Sequence, residues 1–236
     1  MAIDVDMKAL LDAGAHFGHK TSRWHPKMAP FIHSKRGDAH IINLEKTVEQ
    51  LEEALPAIEK AVSKGKKVLF VGTKKAVKEM VKEAATAVNM PYVTTRWMGG
   101  MLTNVDTISS QIRKLKDLEK KMDNGEFIKK YNKLEVQRFQ EEIDALNEFY
   151  GGIRDMSEQP ALVIVTDAIS DKNAVKEAKV LGIPVVAIVD TNVDPTTIDF
   201  PIPANDDAIA GVKLIVGYFA QAVKAGQAKQ ATKSDK

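Results

Sequence analysis

The stretch Lys66-Lys67-Val68-Leu69-Phe70-Val71-Gly72-Thr73-Lys74-Lys75 decides the fold of this 236-residue chain. Its four apolar residues form a short continuous run, which is typical of a strand covered on both faces of a parallel sheet. Gly72 ends the run. Thr73 is predicted to cap a following helix, because its hydroxyl can accept a hydrogen bond from a free N–H group of the first turn. The stretch therefore predicts a strand, a tight turn and a helix, the repeating unit of an α/β protein.

Later segments repeat this strand pattern, and helical segments separate them. Residues 161–165 and 183–189 are apolar runs that predict buried strands, and residues 92–94 predict a weaker one. Residues 199–203 contain two prolines, which a sheet tolerates at its edge, so they predict an edge strand. The alternation of strands and helices indicates an α/β fold with a doubly wound parallel sheet of about five strands.

Capping residues place the first helices. Asp4 or Asp6 is predicted to cap a short N-terminal helix, because a side-chain carboxylate accepts the free N–H groups there. Asn43 is predicted to cap a long helix over residues 44–62. Pro56 lies inside that helix and should kink or split it, since proline removes one helical hydrogen bond.

Two stretches outside these elements have no regular pattern. Residues 15–32 are rich in aromatic residues, proline and histidine and are predicted to be irregular, whereas residues 40–42 predict a brief strand. At the other end, Asn205 or Asp206 is predicted to cap the last helix. The small and charged residues from Ala225 onward predict a disordered tail.

The segment 105–150 has a different pattern. Apolar residues recur at steps of three and four on both sides of a break at Asn124 and Gly125, and Asn132 with Glu135 forms a capping-box pattern. Two charged helices with narrow apolar seams predict an antiparallel coiled-coil hairpin, which pairs with itself and is inserted in the α/β domain. The predicted parts are an N-terminal α/β part (1–104), the hairpin (105–150), a C-terminal α/β part (151–224) and a tail (225–236).

Charge is nearly balanced over the whole chain but unevenly distributed. The 34 basic and 32 acidic residues give a net charge of +2, yet residues 60–82 hold eight lysines and one acid. Residues 155–210 hold three lysines and ten acids. We expect the basic part to face an anion such as RNA and the acidic part to face protein or solvent. With no cysteine and no apolar signal core, the sequence predicts a cytoplasmic protein without disulfides or a membrane segment.

Carboxylates at strand ends indicate one enzymatic alternative. Asp167 and Asp190 follow predicted strands, at the edge where open α/β sheets bind ligands, and paired carboxylates there can hold Mg²⁺ for phosphotransfer. The central strand argues against this alternative, because it ends in a glycine, a threonine and two lysines and offers no acid. It also lacks the glycine patterns of nucleotide-binding turns.

Histidine and aspartate residues form a candidate metal site. His16 and His19 are three residues apart, a spacing that can place two ligands together. Asp190, Asp206 and Asp207 would complete a His/Asp site if the N-terminal segment folds over the sheet. The alternative is that the histidines pack and form hydrogen bonds locally, without a metal.

Cations and aromatic rings occur together in the N-terminal segment and at several later positions. Lysine and arginine bind phosphates and unpaired bases stack on aromatic rings, so this mixture is typical of an RNA-binding surface. Trp97 lies between Arg96 and two glycines and is predicted to be buried. The candidate RNA-binding residues are Lys20, Arg23, Trp24, Lys27, Lys35, Arg36, Lys74, Lys75, Lys78, Arg96, Asn104, Arg113 and Lys114.

Several short motifs follow one another along the chain. They are His16-Phe17-Gly18-His19, Trp24-His25-Pro26-Lys27-Met28, His40-Ile41-Ile42-Asn43-Leu44-Glu45-Lys46-Thr47, Phe70-Val71-Gly72-Thr73-Lys74, Arg96-Trp97-Met98-Gly99-Gly100-Met101-Leu102-Thr103-Asn104, Gly182-Ile183-Pro184, Asp190-Thr191-Asn192 and Ile202-Pro203-Ala204-Asn205-Asp206-Asp207. In this order they resemble the ribosomal protein S2 family of the bacterial small subunit. The resemblance covers nearly the whole chain up to the tail.

The resemblance implies a flavodoxin-like domain with an inserted coiled-coil hairpin, in a ribosome-bound structural protein without enzymatic activity. The implied partners are small-subunit ribosomal RNA and other small-subunit proteins, including the messenger-RNA-capturing ribosomal protein S1 where that protein exists. No small-molecule substrate or required cofactor is implied. The family's metal site maps onto His19, Asp190 and Asp206 or Asp207, which implies one divalent ion, zinc or magnesium.

Overall fold

The computed structural model describes residues 3–234 and arranges them around two sheets. The strands are β1 (Phe17–Lys20), β2 (Ile32–Arg36), β3 (Ala39–Ile42), β4 (Val68–Val71), β5 (Tyr92–Val93), β6 (Leu162–Val165), β7 (Val185–Val189) and β8 (Phe200–Pro203). The helices are α1 (Met7–Asp12), α2 (Leu44–Val62), α3 (Lys78–Ala87), α4 (Val105–Asp123), α5 (Glu126–Lys130), α6 (Lys133–Tyr150), α7 (Lys172–Val180) and α8 (Ile209–Ser234).

A five-stranded parallel sheet lies at the centre, with the strand order β5-β4-β6-β7-β8. Every residue of β4, β6 and β7 is buried, as their continuous apolar runs predict, and β8 lies at the edge. Counted from β4, the order is 2-1-3-4-5, which is the flavodoxin-like order. The predicted fold class is therefore confirmed, and the topological switch point lies between β4 and β6.

Different helices cover the two faces of this sheet. Alternate residues of a strand point to opposite faces. Phe70 and Ile164 pack with α2, α3 and α8, whereas Leu69 and Val163 pack with α7 and the base of the 105–150 insertion. The two buried clusters thus lie on opposite faces, as a doubly wound sheet requires.

The N-terminal segment is more regular than the sequence predicts. The stretch 15–32 is predicted to be irregular, but it contains β1 and the first residue of β2. These two strands pair with β3 in an antiparallel sheet of order β1-β3-β2. The brief strand predicted at 40–42 is the central β3. The prediction missed β2 because four of its five residues are exposed, so the strand shows no alternation of apolar and polar residues.

The caps predicted for α1 and α2 are confirmed, whereas the cap predicted for α3 is wrong. Asp6 caps α1 and Asn43 caps α2, each through a side-chain oxygen that accepts backbone N–H hydrogen bonds. Thr73 does not cap α3, which begins at Lys78, because the Thr73 hydroxyl donates to Asp171 instead.

Helix α2 runs unbroken through Pro56, so the predicted split is not observed. Leu51, Leu55 and Ile58 surround the proline in sequence and are buried in the core, where α2 lies along α8. This packing outweighs the loss of one helical hydrogen bond at proline.

The start of α8 also differs from the prediction. The helix begins at Ile209, so neither Asn205 nor Asp206 caps it. The Asn205 side chain instead accepts a hydrogen bond from the N–H of Asp207 in the turn that precedes the helix. Backbone hydrogen bonds from Ala204 to Val189 and from Asn205 to Ala15 fix this turn at the edge of the sheet, and the helix begins after the turn.

The predicted disordered tail is helical as far as Ser234, while residues 235–236 lie outside the described residues. Gln227 Nε2 donates to the carbonyl oxygen of Val88 at 2.6 Å, which ties the end of α8 to α3. A Cβ on Gly226 would lie 2.7 Å from Val62 Cβ, so a glycine allows α8 to approach α2 closely here. Small residues in this stretch therefore indicate close helix packing and not disorder.

Helix α8 is long and apolar enough to cross a membrane by length and composition alone. Half of its most apolar part is buried inside the protein. Val212, Ile215 and Phe219 belong to the core cluster over α2 and α3. Packing within the core accounts for the apolar character of this helix.

The insertion is a helical hairpin, as predicted. Helices α4 and α6 pack along each other, α5 connects them, and Asn132 with Glu135 makes the predicted capping box. The hairpin is not wholly separate from the α/β core, however. Its outer apolar residues form their own cluster, whereas Ile108 and Tyr150 at its base join the cluster on the sheet. The outer cluster consists of Leu115, Leu118, Phe127 and Ile143.

We expect the α/β domain to fold without the outer part of the hairpin. Replacement of residues 114–144 by a short Gly/Ser linker removes the outer cluster and keeps Ile108 and Tyr150. Thermal unfolding should remain a single cooperative transition. As a control, replacement of the whole segment 105–150 should destabilise the domain by about 3 kcal/mol or more, because buried side chains leave the sheet. Loss of cooperativity in the shorter deletion would contradict the proposal that the outer hairpin is an independent unit.

Candidate functional site

The crevice at the switch point, where α/β sheets bind ligands, is filled by the protein's own side chains. Gly72 and Thr73 follow β4, and Thr166 follows β6. Thr73 donates to the two carboxylate oxygens of Asp171, through its N–H at 3.2 Å and its hydroxyl at 2.7 Å. A Cβ on Gly72 would lie 2.7 Å from Thr166 Oγ1, so glycine permits the close approach of the two strand ends.

Lys74 lies in this crevice beside three carboxylates. Its Nζ is 2.6 Å from Asp207 Oδ1, 3.1 Å from Asp206 Oδ1 and 3.7 Å from Asp167 Oδ2. Burial lowers the pKa of Lys74, but the hydrogen bonds and charges of Asp207 and Asp206 outweigh burial and hold the pKa above its ordinary value. The ammonium group of this half-buried lysine is therefore held by carboxylates of the same protein, and its predicted contact with RNA stays a prediction. Lys75 beside it is exposed.

His19 links the antiparallel sheet to the same carboxylates. Its Nδ1 lies 3.0 Å from Asp190 Oδ2, and its backbone N–H donates to Asp190 Oδ1 at 3.2 Å and to Thr191 Oγ1 at 3.0 Å. On the far side of the ring, Nε2 lies 3.8 Å from Asp207 Oδ2. The N-terminal segment thus folds over the carboxyl edge of the parallel sheet, which the candidate His/Asp site requires.

Gly18 explains how β1 comes so close to this edge. A Cβ at this position would lie 2.6 Å from Thr191 Cγ2 and 3.1 Å from the carbonyl oxygen of His40. Real Cβ atoms do not approach other atoms this closely, so a larger residue would push β1 away from Thr191. The glycine between Phe17 and His19 is therefore a packing requirement of the site.

The structure brings the predicted metal ligands together but gives Asp190 a different role. One ligand atom from each of His19, Asp206 and Asp207 lies within 4.8 Å of the others. Asp190 instead binds His19 Nδ1, as carboxylates commonly do behind a metal-bound histidine. An imidazole nitrogen with two carboxylate oxygens suits zinc. His16 lies apart, and its Nδ1 is buried without a hydrogen-bond partner among the described residues.

Asp171, at the start of α7, gives the stability of the protein a pH dependence. Its side chain is only 1% exposed, and burial raises its pKa from 3.8 to about 6 although hydrogen bonds from Thr73 oppose the shift. A raised pKa means that the folded state binds the proton more tightly. The contribution of protonated Asp171 to the free energy of unfolding is therefore fully present below pH 3.8 and is lost as the pH rises through about 6.

An Asp171→Asn variant tests this pH dependence. Between pH 4 and pH 7 we expect the unfolding free energy of the wild type to fall by about 2 to 3 kcal/mol relative to the variant, since one pKa unit corresponds to about 1.4 kcal/mol. Urea denaturation across this pH range measures the difference. The lost hydrogen bond to Thr73 adds an offset that does not vary with pH. A constant difference between the two proteins would mean that the Asp171 carboxyl has an ordinary pKa.

Glu177 of α7 holds the loop between β5 and α4. Its Oε1 accepts from Trp97 Nε1 at 3.0 Å and from the Gly100 N–H at 2.8 Å. Its Oε2 accepts from the Leu102 N–H at 3.0 Å and from the N–H and hydroxyl of Thr103 at 3.2 and 3.1 Å. Burial raises the pKa of Glu177, but these hydrogen bonds outweigh it and lower the pKa. Trp97 is buried, as predicted.

Glu177 is not among the residues that the sequence predicts for the site, and no local signal indicates it. A glutamate on an amphipathic helix is ordinarily a solvated residue. Its partners lie far back in the chain, at Trp97 and in the glycine turn after it. The glycine-rich pattern of that loop predicts a tight turn beside a large ring, but it does not indicate which anion binds the N–H groups of the turn.

The antiparallel sheet carries several candidate RNA-binding residues, distributed over both of its faces. Lys20 and Arg36 both pair with Ala39, from opposite sides, so their exposed side chains lie on one face of the sheet. Trp24 is 38% exposed, and its ring centroid lies 5.0 Å from that of His40. Exposed side chains of the same segment also include Arg23 and Lys35.

The other candidate RNA-binding residues are dispersed, and several bind within the chain. Lys27 Nζ lies 2.8 Å from Asp194 Oδ2, and Lys114 forms an ion pair with Glu142. Asn104 caps α4. Lys75, Arg96 and Arg113 are exposed, and Lys78 is half-buried. The structure therefore groups the N-terminal candidates and does not bring the later ones to the same place.

Comparison with known proteins gives one consistent result. A family model described as ribosomal protein S2 matches residues 10–226. The chain is 46% identical over 223 residues to the small ribosomal subunit protein uS2 of Coprothermobacter proteolyticus, covering 94% of this chain and 83% of that protein. It is 48% identical to the proteins of the same name from Fusobacterium nucleatum and a Roseiflexus species, covering 94% of this chain in both cases and 90% and 85% of those proteins. The chain belongs to the ribosomal protein S2 family.

Proposed function

We propose that this protein is a structural constituent of the small ribosomal subunit, that it binds small-subunit ribosomal RNA and that it acts in the cytoplasm. Its relatives bear the name of a small-subunit protein, and they align with nearly all of this chain. Membership in a family of structural ribosomal proteins confirms the prediction that the chain is not an enzyme. The phosphotransfer alternative is therefore set aside.

The observation that carries RNA binding is the arrangement of exposed cations on the antiparallel sheet. Lys20 and Arg36 lie side by side across Ala39, and no ion pair neutralises either one among the described residues. Cations of this kind bind phosphate without reading sequence. Trp24 contacts His40, which follows Ala39 in β3 and therefore points to the opposite face of the sheet from Lys20 and Arg36. The exposed part of its ring offers a plane there on which an unpaired base can stack.

Neutralising Lys20 and Arg36 should weaken binding to RNA of any sequence by a similar factor. For a Lys20→Gln/Arg36→Gln variant, we expect the affinity for a small-subunit ribosomal RNA fragment to fall about tenfold or more at moderate salt. The slope of log K against log salt should become shallower by about 1.5 units, because each phosphate contact contributes about 0.7 to 0.9. Fluorescence anisotropy over a salt series measures both quantities.

A matched control has the same change in charge on another surface. Lys8 and Lys213 are exposed on helices α1 and α8 and are not part of the antiparallel sheet, so their replacement by Gln should leave the slope unchanged. An equal effect of the two double variants would mean that net charge matters and the position of the cations does not. Salt-independent binding by the wild type would contradict phosphate contact altogether.

We also propose that the carboxylate cluster takes up one divalent ion. His19, Asp206 and Asp207 would hold it, and Asp190 would orient the imidazole. Burial raises the pKa of Asp206 to about 6, and the charges of Asp167 and Asp190 add to this effect. Like charges so close together favour an additional cation. Such an ion would tie the antiparallel sheet to the parallel one and has no catalytic role.

Other small-subunit proteins are proposed as further partners, including ribosomal protein S1 where it exists. Exposed apolar side chains support a protein-facing surface near the N-terminus. Met7 and Leu11 lie one turn apart on α1 and are 47% and 49% exposed, and Phe17 at the start of β1 is 46% exposed. Apolar groups on a soluble surface are ordinarily covered when a complex assembles.

A further inference from the structure

All three lysines of the acidic segment 155–210 lie on one helix, α7. Lys172, Lys176 and Lys179 have the spacing i, i+4, i+7, which places them along one face of the helix. All three side chains are exposed. With Thr197 they border a groove of about 160 Å³ whose floor is apolar, formed by Ala168, Val175 and Val193.

The acids around α7 do not neutralise these lysines, because each acid is bound elsewhere. Asp171 accepts from Thr73, and Glu177 accepts from the loop before α4. Asp194 binds Lys27, and Asp167 accepts from backbone and side-chain groups of the turn that follows β6. Among the described residues, none forms an ion pair with the lysines of α7. The segment is acidic in composition, yet this face of it presents only positive charge.

The lysine face of α7 adjoins Lys27, a candidate RNA-binding residue that itself pairs with Asp194. Thr197 borders the groove, and its neighbour Thr196 accepts a hydrogen bond from Lys27 Nζ at 2.9 Å. Met28, next to Lys27, packs in the same buried cluster as α7. On another side of the helix, Glu177 fixes the loop that follows Arg96. The helix therefore lies between two cationic segments on one face of the parallel sheet.

We propose that the lysine face of α7 binds the phosphate backbone of small-subunit ribosomal RNA. Three exposed ammonium groups in a row, without an ion-pair partner among the described residues, are complementary to a polyanion, and the proposed function supplies ribosomal RNA as that polyanion. The aliphatic floor covers sugar edges and reads no sequence. This inference rests on the proposed function, and it adds a contact surface in the half of the chain whose composition predicts no contact with anions.

The test uses the full chain with Lys172, Lys176 and Lys179 changed to Gln. Affinity for a small-subunit ribosomal RNA fragment should fall at least tenfold at moderate salt, and the salt slope should become shallower by about two units, at about 0.7 to 0.9 per phosphate contact. Replacing the same three residues by Arg should restore both values. The control changes Lys8, Lys213 and Lys224 to Gln on helices that cover the opposite face of the sheet, and it should behave as the wild type.

The outcomes separate this inference from the proposed function. If the wild type binds the RNA and the α7 variant has the same slope, the α7 surface is wrong while the proposed function stands. Equal losses in the α7 variant and the control would also overturn the inference, because they would show a general charge effect. If the α7 variant binds RNA normally but fails to bind an acidic small-subunit protein, the partner is protein and not RNA. If the wild type does not bind RNA, both this inference and the proposed function are wrong.

Discussion

A Glu177→Gln variant should lose about 3 to 4 kcal/mol of stability, although only one oxygen atom is replaced by a nitrogen. The carboxylate accepts five hydrogen bonds, from the Trp97 ring and from N–H and hydroxyl groups of the loop after it. The amide of Gln has one acceptor oxygen, and its NH₂ group would face donors. Several donors would therefore lose their partner in a part-buried site, and each such loss costs about 1 to 3 kcal/mol.

The same variant should also weaken RNA binding, because the loop carries Arg96 and Asn104 at its two ends. Urea denaturation measures the loss of stability, and RNA titration below the unfolding range measures the effect on binding. Glu83→Gln serves as the control, since Glu83 is exposed on α3 and its change removes the same charge. If Glu177→Gln is as stable as this control, the carboxylate does not organise the loop.

Acid should reproduce part of the effect in the wild type. The hydrogen bonds hold the pKa of Glu177 below its ordinary value of 4.5, after opposing burial. Its stabilising contribution is thus present above pH 4.5 and is lost as the pH falls through the lowered value. The Gln variant has no carboxyl group to protonate at this position, so its stability should decrease less on acidification.

The sequence predicts the parallel sheet well because its signals are local. Strands buried on both faces are continuous apolar runs, and β4, β6 and β7 match such runs closely. The two helices of the hairpin likewise show their period within their own residues. In contrast, β2 has almost no buried side chain, and its pairing with β3 depends on the backbone. An exposed strand of this kind leaves no pattern to read.

Charge was predicted less well, since a count along the sequence does not give the charge of a surface. Of the lysines in the basic segment 60–82, Lys66 binds Glu158 and Lys74 binds acids from the other half of the chain. The acids of 155–210 are in turn largely bound within the protein, and the lysines of α7 are left exposed. Contacts between residues 92 to 167 positions apart decide this outcome, and no local pattern indicates them.

The second large effect is expected for Lys74→Met, which removes a cation from the centre of the carboxylate cluster. Asp206 and Asp167 are 5% and 4% exposed, so without the ammonium group their charges would be buried and would repel each other. Removing one partner of a fully buried ion pair costs about 3 to 5 kcal/mol, and the loss here should lie at or below the lower end of that range because the Lys74 side chain is 26% exposed. Lys75→Met is the matched control, because Lys75 is the next residue, is exposed and carries the same charge. Its stability should change by less than about 0.5 kcal/mol.

The Lys74→Met variant also tests the divalent ion. A metal that binds the folded state alone stabilises it in proportion to the logarithm of its concentration. Zinc or magnesium should therefore raise the melting temperature of the variant more than that of the wild type, in which Lys74 already supplies positive charge to Asp206 and Asp207. Adding His19→Ala should abolish the rescue, since His19 supplies the nitrogen ligand. A Lys74→Met variant as stable as Lys75→Met would mean that the cluster needs no internal cation. Rescue that survives the loss of His19 would place the ion outside the site that joins the two sheets.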